Sequence, residues 1–271
     1  MAARPTRLVL LGHPVAHSLS PTFQNAALRR AGIPLVYEAL DVPPRDFADT
    51  IRRLAAEGAA GNVTIPHKAA AARACDRLTP LAARAGAVNA FRREDDGALL
   101  GDNTDVGGFA AAAIALLGAI PRDSRVAVLG AGGGAAAVLA ACERWPGCTV
   151  RVWSRREAAA RALVERFAGV ASTAPAVADA VAAADLVVNA TPIGLTSDDV
   201  PVAVDALPPR AAVLDLVYRR GETPWVRQAR AQGRRAADGL PMLVEQGALA
   251  FTFWLGVEPD REAMREAVRS A

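Results

Sequence analysis

Lys68 is the one lysine among 31 basic residues; the other 30 are arginine. Where a cation only keeps a surface wet, this chain uses arginine, whose guanidinium stays charged at every physiological pH. A position that keeps lysine offers what arginine cannot, a compact amine able to release and regain a proton. Chance is the competing reading, because one lysine must fall somewhere, and its surroundings decide between the two.

A second constellation is Gly130-Ala131-Gly132-Gly133-Gly134-Ala135, a G-x-G-x-x-A pattern directly after the apolar run Arg125–Leu129 and before a helical stretch ending near Glu143. In that setting Gly130 allows a tight turn and Gly132 lets a pyrophosphate approach the backbone. The small Ala135 allows close helix–strand packing, and the helix N-terminus presents free N–H groups to phosphate. A glycine-rich turn without a ligand is the plainer alternative. The next strand, Thr149–Trp153, runs into Ser154-Arg155-Arg156, where an NAD site would place Asp or Glu on the ribose 2′-hydroxyl. Two guanidiniums there can grip a 2′-phosphate through charge-assisted, bidentate bonds. As mere solvated cations they would oppose the dipole of the helix they open, by roughly a few tenths of a kcal/mol. NADP(H) is therefore expected rather than NAD(H).

These residues need a scaffold, and the hydropathy pattern supplies an α/β one. Apolar residues make up 52% of the 271 positions and aromatics only 5%, so alanine and branched aliphatics must fill the core. Strands are expected at Arg7–Leu11, Val36–Leu40, Gly61–Ile65, Ala87–Arg92 and Leu99–Asn103, with helices around Pro21–Ala31, Pro44–Glu57, His67–Ala74, Thr79–Ala85 and Val106–Leu117. Leu117–Ser124, carrying Gly118 and Pro121, reads as a hinge. The alternation then restarts with strands Arg125–Leu129, Thr149–Trp153, Leu186–Asn189 and Val213–Leu216, a helix at Glu157–Phe167, and closing helices Met242–Leu255 and Asp260–Ser270. Such alternation predicts two α/β domains with parallel sheets.

Several function classes fall away. The net charge of +3 is spread without a basic block, so nucleic acid is not an expected partner. Three cysteines, Cys75, Cys142 and Cys148, form no CxxC pair and suggest a reducing compartment without a disulfide framework or zinc ribbon. The run Leu8–Leu11 is too short for a signal peptide, and Val106–Pro121 falls short of a membrane span. A cytoplasmic location with no membrane partner is expected. Pro14 breaks any helical face shared by His13 and His17, and His67 has no carboxylate spacing around it, so no metal site is expected.

Four segments together resemble shikimate dehydrogenase: G-x-P-x-x-H-S-L-S-P at 12–21, N-V-T-I-P-H-K at 62–68, A-V-N at 87–89 and D-N-T-D at 102–105. The resemblance continues through the glycine loop, N-A-T-P-I-G at 189–194, D-L-V-Y at 215–218 and D-G-L-P-M-L-V-E-Q at 238–246. It implies an N-terminal substrate domain (1–105), a Rossmann NADP-binding domain (106–240) and C-terminal helices (241–271) returning to the first domain. The implied reaction is reversible NADPH-dependent reduction of 3-dehydroshikimate to shikimate, toward chorismate and the aromatic amino acids, by a monomer or homodimer.

The resemblance makes Lys68 the acid–base catalyst and Asp105 its partner, although an acid at position 105 is also an ordinary helix N-cap or first-turn residue. Ser18 and Ser20 match serines that bind the substrate carboxylate, while Ser20-Pro21 is equally a sound helix start. Asn62, Thr64, Asn89 and Gln246 match residues around the ring hydroxyls; Tyr218 either adds a hydroxyl at the carboxylate or simply packs. Beside residues 130–135 and 154–156, Thr191, Leu216 and Gly239 match cofactor-binding positions. Ser154 and Ala159 depart from the family pattern at positions that bear on the strictness of NADP over NAD; Ala90, Arg219-Arg220 and Asp238 depart from it too, the last beside Gly239, near where the resemblance places nicotinamide. A quinate/shikimate or aminoshikimate dehydrogenase using NAD, or an idle metabolite sensor, are the alternatives.

Overall fold

In the computed structural model, which describes residues 4–271, the chain opens with β1 (Arg7–Gly12), whose Leu8, Val9, Leu10 and Leu11 are all buried. A continuous apolar strand of this kind belongs in the middle of a sheet covered on both faces. Its neighbours are β2 (Tyr37–Asp41) and β3 (Ala59–Val63), both parallel to it, connected through α1 (Ser20–Arg30) and α2 (Phe47–Ala56). Next come α3 (Lys68–Ala74), β4 (Arg77–Leu78), α4 (Pro80–Ala85), β5 (Ala90–Arg93) and β6 (Leu99–Asp102). The six strands lie in the order β2-β1-β3-β5-β6-β4, with β5 antiparallel to both neighbours. Val9, Leu11 and Val63 pack with Phe47, Ile51 and Leu54 of α2 and Ala71 of α3 on one face.

The second sheet contains β7 (Arg125–Leu129), β8 (Thr149–Trp153), β9 (Ala171–Thr173), β10 (Leu186–Asn189), β11 (Ala212–Asp215) and β12 (Ala236–Ala237). Its order is β12-β11-β10-β7-β8-β9 and every pairing is parallel. That is the doubly wound order, which reverses direction between β7 and β10 and opens a crevice at their carboxyl ends. Its helices are α6 (Gly133–Cys142), α7 (Glu157–Arg166), α8 (Val177–Val181) and α9 (Pro224–Ala231). Ala135 through Cys142 are all buried, and these mostly small side chains let α6 lie close to the sheet.

The chain divides into a unit running to Gly108 and resuming at Leu243–Ala271, and a unit formed by Phe109–Met242. Two helices cross these limits in sequence, α5 (Thr104–Leu117) and α10 (Leu240–Leu255). The last helix, α11 (Arg261–Arg269), packs against α1 in the first unit. Among the described residues no helix is long and apolar enough to cross a membrane.

Three short strands (β4, β9, β12) and two helices (α8, α9) had no expectation from hydropathy. The expected strand at Ala87 begins only at Ala90; ahead of it Val88 N donates to Lys68 O at the start of α3 instead of to a neighbouring strand.

Candidate active site

β3 ends in a turn in which His67 N donates to Thr64 O, and Lys68 then opens α3. The turn is pinned by His67, which is buried and stacked on Phe47 with ring centroids 4.4 Å apart. Burial lowers the His67 pKa, favouring the neutral ring, and since Val42 O can only accept, Nε2 carries the proton it donates over 2.7 Å. Asp105 lies in the first turn of α5, but its carboxylate is turned to Lys68: Oδ2 is 2.7 Å from Nζ. The side chains are 19% and 6% exposed, so the carboxylate is nearly dry while the lysine is not fully enclosed.

Polar groups in the same unit are tied to one another. Asn62 Nδ2 donates to Asn89 O at 2.9 Å. Asn89 Nδ2 donates to Thr104 Oγ1 at 2.9 Å and Gln246 Oε1 at 3.2 Å, and Asn89 Oδ1 accepts from Thr104 N at 2.7 Å. Asn89 is thus committed within the protein, and Gln246 is held further by donating to Leu243 O at 2.8 Å. Thr64 lies beside the 12–20 segment, since His13 N donates to Ile65 O at 3.0 Å and a Cβ on Gly12 would come within 2.5 Å of Thr64 Cγ2. Leu19, not Ser20, occupies the N-cap of α1, and no side chain caps it. Ser20 is the first helical residue instead, so its hydroxyl is spared a capping bond, while Ser18 Oγ accepts from Ser20 N at 3.2 Å. His13 pairs with Asp41 at 3.2 Å on the surface. Tyr218 follows β11 in the other unit and is partly buried.

The glycine loop begins where β7 ends. Gly130 has φ +119°, its N donates to Trp153 O at 2.8 Å, and a Cβ there would meet Ala190 O at 2.7 Å. Glycine is required on both grounds. Gly132 is the N-cap of α6, and a Cβ on it would project into open space. Ala136 N makes the first bond back, to Gly132 O, leaving the N–H groups of Gly133, Gly134 and Ala135 at the exposed helix end. Leu216 approaches both Gly134 and Gly239: a Cβ on Gly134 would lie 3.4 Å from Leu216 Cδ1, and one on Gly239 2.4 Å from Leu216 O. Arg155 and Arg156 are exposed after β8 and form no ion pair among the described residues. Ser154 Oγ accepts from Arg156 N at 3.3 Å. Open space at Gly132, unpaired helix N–H groups and two free guanidiniums suit a dinucleotide carrying an additional phosphate.

One group, quoted in the sequence only as the first residue of D-L-V-Y, had no role assigned to it there. Asp215, 1% exposed at the end of β11, accepts from Asn189 Nδ2 (2.8 Å), Val217 N (3.1 Å) and Thr223 Oγ1 (2.8 Å). Burial nevertheless pushes its pKa up to about 6, against the lowering effect of those bonds. Asn189 Oδ1 in turn accepts from Thr191 N at 3.0 Å and Thr191 Oγ1 at 2.6 Å, which shapes the turn after β10 facing the glycine loop. An acid closing the apolar run Ala-Val-Leu-Asp was the available signal. Burial also raises the pKa of Asp238.

Residues 10–91 match the family model of the shikimate dehydrogenase substrate binding domain, and residues 239–269 that of the shikimate 5′-dehydrogenase C-terminal domain. Shikimate dehydrogenase (NADP(+)) of Geobacter metallireducens is 41% identical over 275 residues, spanning 97% of this chain and 96% of its own. The chain belongs to the shikimate dehydrogenase family. A second member, shikimate dehydrogenase (NADP(+)) of Rubrobacter xylanophilus, is 42% identical over 96% of this chain and 94% of its own. The crystal structure of shikimate 5-dehydrogenase from Thermus thermophilus in complex with NADP(H) and shikimate is 40% identical. It superimposes with a TM-score of 0.86 over 97% of this chain and 98% of that one. Both α/β units described above are therefore the shikimate dehydrogenase fold.

Proposed function

We propose that this chain is an NADP-dependent shikimate dehydrogenase, reversibly reducing the keto group of 3-dehydroshikimate to the alcohol of shikimate on the way to aromatic amino acids. Full-length identity to enzymes of that name supports the activity. The observation in this chain that carries the mechanism is the 2.7 Å pair of Lys68 and Asp105.

Carbonyl reduction needs a hydride at carbon and a proton at oxygen. NADPH supplies the hydride when bound. Lys68 Nζ supplies the proton, and in the reverse direction recovers it from the alcohol. Asp105, nearly dry in the first turn of α5, holds the amine in one orientation and balances its charge as Lys68 meets substrate. Ser18 and Ser20, at the start of α1, take the carboxylate, where the helix N-terminus adds attraction. Asn62, Thr64 and Gln246 take ring hydroxyls, and Asn89 serves them by fixing Gln246 and Thr104. Gly130 through Ala135, Thr191, Leu216 and Gly239 form the cofactor cradle, with Ser154, Arg155 and Arg156 toward the 2′-phosphate. A cytoplasmic location belongs to this reading, supported by the odd number of cysteines, as does a monomeric or homodimeric state.

Initial rates with shikimate and quinate, each with NADP⁺ and NAD⁺, test the assignment. Shikimate with NADP⁺ is expected to give the highest kcat/KM; no shikimate-dependent NADPH formation would reject it.

A further inference from the structure

The hydrogen bonds around Asn62 extend beyond the residues assigned above. Tyr37 opens β2, is buried against Trp254 of α10 with ring centroids 5.8 Å apart, and donates its hydroxyl proton to Asn62 Oδ1 at 2.7 Å. Strand β1 lies between the two, pairing Leu8 with Tyr37 and Leu10 with Asn62. The phenol therefore reaches diagonally over β1 along one face of the sheet, a span within the range of a long aromatic side chain. Its backbone is held too. Asn25 of α1 accepts from Tyr37 N and donates to Tyr37 O, both at 2.9 Å, and donates to Pro21 O at 2.8 Å. One continuous set of bonds runs from the start of α1 through Tyr37 to Asn62 and on to Asn89.

For Asn62 this leaves a simple account of its amide. Oδ1 takes the Tyr37 proton, and Nδ2 gives one of its two protons to Asn89 O at 2.9 Å. Asn89 O can only accept, which sets Nδ2 on that side; the Tyr37 hydroxyl, able to donate or to accept, then donates to Oδ1 and holds the amide from its second side. The second Nδ2 proton has no other protein partner among the described residues. Phenylalanine at position 37 would fill the same space but strand Asn62 Oδ1 in a buried setting, leaving the amide held on one side only, through Nδ2 to Asn89 O.

We infer that Tyr37 is a positioning residue for substrate recognition, its hydroxyl locking Asn62 so that one amide N–H is presented to a hydroxyl oxygen of a cyclic polyol substrate. The inference rests on the reading of Asn62 as a substrate-binding residue. A double-mutant cycle on shikimate affinity, measured by calorimetric titration of wild type, Tyr37→Phe, Asn62→Ala and the double variant, separates the two. Phenylalanine retains the ring contact with Trp254 and the backbone bonds to Asn25, and a melting curve of each variant verifies folding. Tyr37→Phe is expected to weaken shikimate binding about tenfold, the order of one substrate hydrogen bond lost when the amide is held less firmly. In the Asn62→Ala background the same change is expected to cost less than about twofold, because the group it positions is gone. Equal losses in both backgrounds, or no loss in Tyr37→Phe, overturn the inference and leave Asn62's own role standing. An Asn62→Ala protein that binds shikimate as wild type does rejects that role, and the inference with it.

Discussion

Oδ2 of Asp105 lies 2.7 Å from Nζ of Lys68 although the two are 37 positions apart in the chain. The sheet explains the meeting. β5 runs antiparallel to both β3 and β6, so β3 and β6 end at the same edge. Helix α3 follows the end of β3 and α5 follows the end of β6, which brings their first residues together.

If this pair exchanges the proton, charge alone will not replace it. Lys68→Arg should be nearly as inactive as Lys68→Ala, each losing about 10²- to 10⁴-fold in kcat, because a guanidinium does not cycle a proton near neutral pH. Affinity for NADP⁺ should hold. Steady-state rates together with fluorescence titration of the cofactor check this, and a Lys68→Arg enzyme keeping a tenth of wild-type kcat would contradict it.

Two loop glycines should respond in opposite ways to one added methyl. At Gly132 the methyl meets open space and φ is ordinary, so Gly132→Ala should cost about 1 kcal/mol of stability or less. It would nonetheless occupy the space assigned to the phosphates, and NADP⁺ binding should weaken by at least about tenfold. Gly130→Ala should instead unfold more easily, by about 1–3 kcal/mol or more, through its φ of +119° and the clash with Ala190 O. Denaturant melts and cofactor titrations of both variants make the comparison.

Arg155 and Arg156 should discriminate between cofactors. Replacing both by alanine should raise the dissociation constant of NADP⁺ by roughly 10- to 100-fold, the scale of one or two hydrogen bonds to a charged group, and leave that of NAD⁺ nearly unchanged. Calorimetric titration with the two nucleotides reads the ratio directly; parallel losses would assign the arginines to something other than the 2′-phosphate.

Asp215 should make the fold more stable in mild acid. Its pKa stands near 6 in the folded protein, above the ordinary 3.8, so the folded state binds this proton more readily than the unfolded chain. The corresponding stabilisation is fully present below pH 3.8 and is lost as pH rises through 6, on the order of 2–3 kcal/mol across that window. Asp215→Asn has no such titration. The melting temperature of wild type relative to Asp215→Asn should therefore climb as pH falls from 8 to 5; a constant difference would show that the carboxylate is not strained by burial.

Much of the scaffold was readable locally. Arg125–Leu129, Thr149–Trp153 and Leu186–Asn189 occur at the expected bounds because each is a short valine-rich stretch, each holding two valines, a composition that favours strand. Two-residue strands such as β4 and β12 carry too few side chains to show a period, and their pairing exists only because a neighbouring strand is already in place. Ser20-Pro21 has the composition of a cap, yet the helix starts one residue earlier, with Leu19 at the cap position. Thr223-Pro224 has the same composition and does cap α9, through Val226 N at 3.4 Å.

Residue types and short motifs carried the chemistry into view: a lone amine at 68, a glycine turn after a strand, two arginines where an acid would exclude phosphate. The fold alone settled which groups meet. Asp105 acts toward Lys68 and not as a cap, Asn89 is used up inside the protein, Tyr37 reaches Asn62 over an intervening strand, and Asp215 is dry. Each of these depends on strand order and on which sheet face is covered. Those are outcomes of burying many apolar side chains at once, and no stretch of neighbouring residues contains them.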